Sequence, residues 1–292
     1  MEIKRLNSEC IKCLTDKYIK NIPDSIDEDK KLKFMQRVLD ILASADYGLS
    51  APELTEQITL AQREVLELET DYSEIKSYFN KLLLSKESEI EEKINQSPDS
   101  FKTALLYALS GNFIDFGAMQ SVDEAQLLKT LADAEDIKVS ETEIENLRAD
   151  IKKAQRLVYL TDNCGEIVLD KLFIKTIRQQ NQELEINVIV RGDAVLNDCT
   201  IEDAVETDMY SVADVVPNGT AVAGTSLDKI SLEAKELIDT ADLIIAKGQG
   251  NFETLRFCGK NIYYLFLCKC SMFANRFNVE RFSGMLLNDK RM

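Results

Sequence analysis

The sequence predicts an α/β protein in which residues 154–292 form a Rossmann-like three-layer α/β/α sandwich and residues 1–153 form a mostly helical domain packed over its cleft. Three observations carry this. Beyond about residue 154, short β-rich runs alternate with helical ones, the pattern of a parallel sheet joined by crossover helices. Those runs are nearly continuous in apolar residues, as expected for strands covered on both faces. Before residue 154 the apolar residues recur at three- and four-residue spacings, and three of the four prolines fall between such segments.

The chain opens with MEIKRLNSECIKC, where Cys10 and Cys13 fit equally half of a zinc site and an amphipathic helix that buries two soft side chains. KLKFMQRVLDILASA places Leu32, Met35, Val38, Leu39 and Leu42 on one helical face. EVLELETDYSEIKSYFNKLLL continues that style with Glu and Lys on the intervening face, and Pro23, Pro52 and Pro98 punctuate the series. The expected strands are RLVYL (156–160), EINVIV (185–190), VADVV (212–216), ADLIIAK (241–247) and NIYYLFL (261–267). Between them EIVLDKLFIKTIRQQ, TIEDAVET and SLDKISLEAKELIDT read as helices with solvated faces.

Composition removes several functions. With 292 residues and 45% apolar content the chain can bury a large core. Asp and Glu outnumber Lys and Arg by 51 to 35, and the resulting charge of −16 repels nucleic acid and anionic membranes. The N-terminus lacks the h-region of a signal peptide, and no stretch reaches the roughly 18 apolar residues of a membrane span, so a cytoplasmic protein is expected. The sequence has no His, which excludes Ser–His and Cys–His nucleophiles and histidine acid–base catalysis. Carboxylates, amides, lysines, thiols or a metal remain. Seven cysteines are an odd number, so free thiols or metal ligands are expected before disulfides.

Ligands of an open parallel sheet bind beyond the carboxyl ends of its strands, and four polar clusters fall at such positions. TDNCGE follows the first strand with Asp162, Asn163, Gly165 and Glu166; RGDAVLNDCT follows the second with Arg191, Asp193, Asn197 and Asp198. PNGTAVAGTS follows the third with Asn218 and Gly219, and KGQGNFE the fourth with Lys247, Gly248, Asn251 and Glu253. Two carboxylates and an amide oxygen are hard ligands for Mg²⁺ or Mn²⁺. Lys247 and the glycine-rich turns offer the complementary cradle for an anion, with Arg191, Asn197, Asn218, Gly219 and Gly248 as the expected substrate contacts. Together these read as phosphate-ester chemistry. Each cluster alone also has a structural explanation: Asp162 with Glu166, and Asp198 or Asp203, as helix caps, and NGT and GQGN as tight turns. Four at consecutive strand ends favour a shared site.

These motifs in this order, with CIKC near the start, ALSGNFIDFG (108–117) and CKC near the end, resemble the damage-control phosphatases, a family of metal-dependent phosphohydrolases. The N-terminal C-x-x-C is similar to that of the stand-alone, prokaryotic-type subfamily, whereas KCSMFANRFN is more basic and bulky than the family's usual segment. The resemblance implies a helical N-terminal region on a three-layer α/β domain and a divalent metal (Mn²⁺, Co²⁺, Ni²⁺ or Mg²⁺) held by Asp162, Asn163 and Asp198. It further implies a substrate phosphate contacted by Lys247, with Asn251 and Glu253 nearby and Asn112 and Asp115 closing over the same cleft. Glu166 is then placed to orient the attacking water or to face the helix dipole. The implied reaction is hydrolysis of phosphate monoesters of small metabolites, either sugar phosphates or damaged cofactor intermediates, by metal-assisted water attack in preference to an aspartyl nucleophile. Two other classes stay open: an S-adenosylmethionine-dependent carboxyl methyltransferase, which leaves Lys247 and the asparagine-rich turns without work, and a non-catalytic metal- or metabolite-binding protein.

Overall fold

A computed structural model describes residues 6–114 and 123–292. The chain begins with helices α1 (Ser8–Lys20), α2 (Glu28–Ser44), α3 (Ala51–Leu66), α4 (Ser73–Gln96), α5 (Ser100–Gly111), α6 (Glu124–Ala132) and α7 (Glu141–Ile151). Strand–helix alternation follows: β1 (Arg156–Leu160), α8 (Glu166–Gln180), β2 (Glu185–Val190), α9 (Ile201–Glu206), β3 (Asp214–Pro217), α10 (Leu232–Thr240), β4 (Leu243–Lys247), α11 (Gly248–Leu255), β5 (Ile262–Leu267), α12 (Ser271–Phe277) and β6 (Gly284–Asn288). The strands form one sheet in the order β3-β2-β1-β4-β5-β6, parallel except for β6. Val158 of β1 pairs with Asn187 of β2 on one side and Ile244 of β4 on the other. The strand order therefore reverses between β1 and β4, the position where such sheets open a crevice for ligands.

Period-two alternation builds the layers. Leu157 and Tyr159, with Ile186, Val188, Ile245 and Leu265, point into a core completed by α4, α5, α7 and α8. Val158 and Leu160, with Ile189, Ile244, Tyr264 and Phe266, point the other way onto α10, α11 and α12. The result is an α/β three-layer sandwich. Helices α1 to α3 enclose a separate core around Leu14, Tyr18, Phe34, Val38, Leu54 and Ile58.

Several elements differ from expectation. On α2 the buried stripe is Phe34, Val38, Ile41 and Leu42, while Leu32 and Leu39 are 57% and 52% exposed. Two stripes with helical spacing interleave there, and docking against α1 and α3 selects one. The segment expected to run on as one helix from residue 64 breaks after Leu66, where Glu67 turns left-handed (φ 55°), and helix resumes at Ser73. The third strand starts at Asp214, because Val212 and Ala213 serve the core from the preceding turn; its Pro217 is tolerated because β3 is an edge. The helix expected from residue 226 begins only at Leu232, capped by Ser231. β6 was not expected: GMLLN is short and does not alternate. Cys10 is half-buried and Cys13 exposed, so α1 buries Leu14 and Tyr18 in place of its two thiols. All the cysteines are free, and among the described residues no helix is long and apolar enough to cross a membrane.

Candidate active site

The turn after β1 gathers the first group. Gly165 has φ +67°, and a Cβ there would meet Ile114 Cδ1 at 2.8 Å, so only glycine fits this entry to α8. Gly165 is itself the helix N-cap; neither Asp162 nor Glu166 caps. Asp162 Oδ2 instead accepts from Asn112 Nδ2 at 2.9 Å and Asn163 Nδ2 at 2.7 Å. The same two amides donate to Glu166 Oε2, each at 3.1 Å. Asn112 caps the C-terminus of α5, and its Oδ1 accepts Leu267 N–H at 3.0 Å, so one side chain ties the helical region to the ends of β1 and β5.

Lys247, expected at the phosphate, is fully buried at the end of β4. Its ammonium donates to Glu166 Oε1 at 2.6 Å, Asp170 Oδ1 at 2.6 Å and the Ala108 carbonyl at 2.9 Å, which uses all three protons. Tyr159 OH adds a bond to Asp170 at 2.7 Å. Burial pushes the Asp170 carboxyl up to about 7, against the pull of Lys247. For Lys247 burial acts downward, yet Asp170 and Glu166 hold its pKa above the ordinary lysine value. Asp170 and Tyr159 were missed in the sequence. The available signal was the Glu166/Asp170 pair, four residues apart on one helix face, inside an otherwise apolar stretch.

The second arm descends from β2. Residues 162–163 and 198–199 pair as backbone: Asn163 and Asp198 form an antiparallel bridge, and Cys199 N–H donates to the Asp162 carbonyl at 2.8 Å. This brings together two acids distant in sequence. Arg191, 1% exposed, lies on both: Nε donates to Asp198 Oδ2 at 2.7 Å, and Nη2 stands 3.5 Å from Asp162 Oδ1. Nη1 reaches Asn251 Oδ1 at 3.4 Å, while Nη2 makes no hydrogen bond among the described residues. Asp198 does not cap α9; Thr200 and Asp203 form its capping box.

The third arm is the β4–α11 turn. Gly248 has φ +80°, and a Cβ would fall 2.0 Å from Asp162 Oδ2, so the turn packs directly on that carboxylate. No side chain caps α11, whose first-turn amides begin beside the cluster. Asn251 donates to the Thr161 and Lys247 carbonyls and accepts from Thr225, fixing three loops. Asn218 Oδ1 accepts from Gly192 and Thr220 N–H next to Gly219 (φ +78°), a loop brace one strand further out. Asn197 Nδ2 donates to the Ile114 carbonyl and so pins the loop it sits on. Glu253 lies apart: it pairs with Gln249 and feels Arg256. Asp115 lies outside the described residues.

Among the described residues, Asp162, Glu166, Asp170 and Asp198 are thus buried around two cations, Lys247 and Arg191. Such a surplus is costly without a counter-charge, and the donor chemistry suits a hard divalent ion. Among the described residues no three Asp, Glu or Cys side chains group as a ready-made metal cage, which is compatible with an ion that binds one or two carboxylates and keeps water or substrate elsewhere. Asn163 spends its amide nitrogen on Asp162 and Glu166, which leaves its carbonyl oxygen to offer.

A family profile described as the damage-control phosphatase ARMT1-like domain matches residues 6–284. A damage-control phosphatase of Archaeoglobus fulgidus is 33% identical over 87% of this chain and 88% of its own. A damage-control phosphatase of Pyrococcus horikoshii is 32% identical over 65% of this chain and 66% of its own, and an uncharacterized protein of Methanocaldococcus jannaschii is 27% identical over 98% and 96%. The crystal structure of a DUF89 family protein from Pyrococcus horikoshii superposes with a TM-score of 0.78 at 25% identity, covering 97% of this chain and 99% of that one.

Proposed function

The chain belongs to the damage-control phosphatase ARMT1-like domain family, and on that premise we propose that it is a metal-dependent phosphatase hydrolysing phosphate monoesters of small metabolites, either sugar phosphates or damaged cofactor intermediates. One observation carries the reading: Asp162 and Asp198 converge on Arg191 in a buried cluster where, among the described residues, carboxylates outnumber cations.

In this reading Asp162, Asp198 and the Asn163 side-chain oxygen would hold a Mn²⁺, Co²⁺, Ni²⁺ or Mg²⁺ ion. The ion supplies Lewis-acid polarisation of the phosphoryl group and offsets its charge. Arg191 aligns both carboxylates through Nε and Nη2, and the unsatisfied Nη2 is the donor for a phosphoryl oxygen. The first-turn amides of α11 lie beside the same carboxylate and favour an anion there. Glu166 has one oxygen on Lys247 and the other on two amides, so it orients Asn112 and Asn163. Lys247 acts at one remove by holding Glu166.

Hydrolysis of p-nitrophenyl phosphate tests the reading. Activity should vanish with EDTA and return with Mn²⁺ or Co²⁺. Asp162→Ala and Asp198→Ala should lose it while keeping the wild-type circular dichroism spectrum. Full activity in either variant rejects the site, and metal-independent binding of S-adenosylmethionine without hydrolysis favours the methyltransferase instead.

A further inference from the structure

One stripe of α3 faces the loops that follow β2 and β3, and it is docked only at its start. Glu53 accepts from Ser226 Oγ at 2.7 Å and Glu56 from Lys229 Nζ at 2.6 Å. Further along the stripe, Leu60 and Arg63 stand off, leaving a cleft of about 650 Å³ bounded across from them by Asp193, Gly219 and Thr220. Leu60 is 51% exposed there, an apolar surface with nothing on it. Among the described residues Arg63 pairs with the exposed Glu69 alone. Asp193 is exposed, and its carboxylate makes no hydrogen bond or ion pair among the described residues.

The place of this cleft matters. Asp193 lies two residues beyond Arg191, whose guanidinium sits on Asp162 and Asp198. Adjacent strands are about 4.8 Å apart, so the ends of β2 and β3 lie roughly 5–10 Å along the sheet edge from the end of β1, just before Asp162. That is the reach of a sugar ring from its esterified oxygen. The volume far exceeds that of a phosphate and falls within the usual range for small-molecule sites. Its lining sets the Asp193 carboxylate on one wall against Leu60 and the Arg63 guanidinium on the other, with the ion pairs Arg63–Glu69 and Lys229–Glu56 also lining it.

We propose that this cleft receives the organic part of the phosphoester, and that Asp193, opposite Leu60 and Arg63, selects substrates whose organic part is a hydroxylated ring. The inference rests on the phosphatase reading of the carboxylate site and adds a specificity residue that touches none of its proposed machinery.

The test compares wild type with Asp193→Ala and Leu60→Trp, loaded with Mn²⁺, on ribose 5-phosphate, 2-deoxyribose 5-phosphate and acetyl phosphate, whose organic part is too short to enter the cleft. Loss of a hydrogen bond to a charged group should raise KM for ribose 5-phosphate about tenfold in Asp193→Ala and shrink the preference for ribose over deoxyribose. Filling the cleft in Leu60→Trp should raise KM for both sugar phosphates. Acetyl phosphate turnover should stay within about twofold in both variants. Calorimetric titration with a non-hydrolysable phosphonate of ribose 5-phosphate should show the same losses in Kd. Unchanged sugar-phosphate KM and phosphonate Kd beside intact acetyl phosphate turnover overturn the cleft assignment, as do losses equal for all three substrates. A wild-type protein that hydrolyses neither acetyl phosphate nor p-nitrophenyl phosphate removes the phosphatase reading itself, and the cleft assignment with it.

Discussion

Replacing Lys247 with methionine keeps the length of the side chain and deletes its charge. The ammonium is fully buried and bonded to two carboxylates, each at 2.6 Å, and to a main-chain carbonyl at 2.9 Å. Its loss strands Glu166 and Asp170 in a dry interior, where breaking a buried pair costs about 3–5 kcal/mol. With total stability of about 5–15 kcal/mol this is a large fraction. At about 2 °C per kcal/mol for a chain of this length, the melting temperature should fall by about 6–10 °C, read by circular dichroism. Neutralising the stranded acids tests the cause: Lys247→Met combined with Glu166→Gln and Asp170→Asn should recover more than half of the loss. If Lys247→Met melts within about 1 °C of wild type and raises only KM, the ammonium serves substrate after all and the structural role given to it here fails.

Other outcomes follow from the same site. Gly248→Ala places a methyl group on the Asp162 carboxylate and forces a left-handed alanine, so about 2–4 kcal/mol of stability and most activity should go; a variant as stable as wild type, by urea unfolding, removes the claim that the turn packs on Asp162. Asp170, raised to about 7 in the fold from an ordinary 3.8, contributes stability in its protonated state that is full below about pH 4 and lost as pH rises toward 7. Asp170→Asn should therefore gain on wild type steadily between pH 5 and 7, and a pH-independent difference between the two refutes the shift. Burial raises the thiols of Cys164 and Cys199, whereas Cys13 is exposed. Thiol labelling followed by mass spectrometry should modify Cys13 first and those two only on unfolding; equal rates contradict the packing.

The sandwich was legible because each strand it needs is a compact apolar run, and EIVLDKLFIKTIRQQ showed the helical period over the same residues that form α8. Less legible were choices made by neighbours. Nothing local to α2 says that Phe34 and not Leu39 faces inward, and β6 exists only because β5 offers it an open edge. At the site the sequence supplied the residue types but not their connections. It marked Asp162, Asn163 and Asp198 as a possible group, yet the backbone bridge that joins them is a tertiary event. A lysine at a strand end looks the same in sequence whether it meets an anion or two carboxylates; Asp170 decides that from inside a helix.

Asn112, the C-cap of α5, supports Asp162, Glu166 and the end of β5, while the Ala108 carbonyl within the helix accepts a hydrogen bond from Lys247. Cut away from the first half of the chain, the sheet would keep its strand order but present a lysine short of an acceptor, an aspartate short of an amide, and the bare apolar side of α8. Assembly of the acidic pocket and closure of the molecule around it are therefore a single cooperative event, and a fragment starting at residue 154 is expected to be inert however well its strands pair.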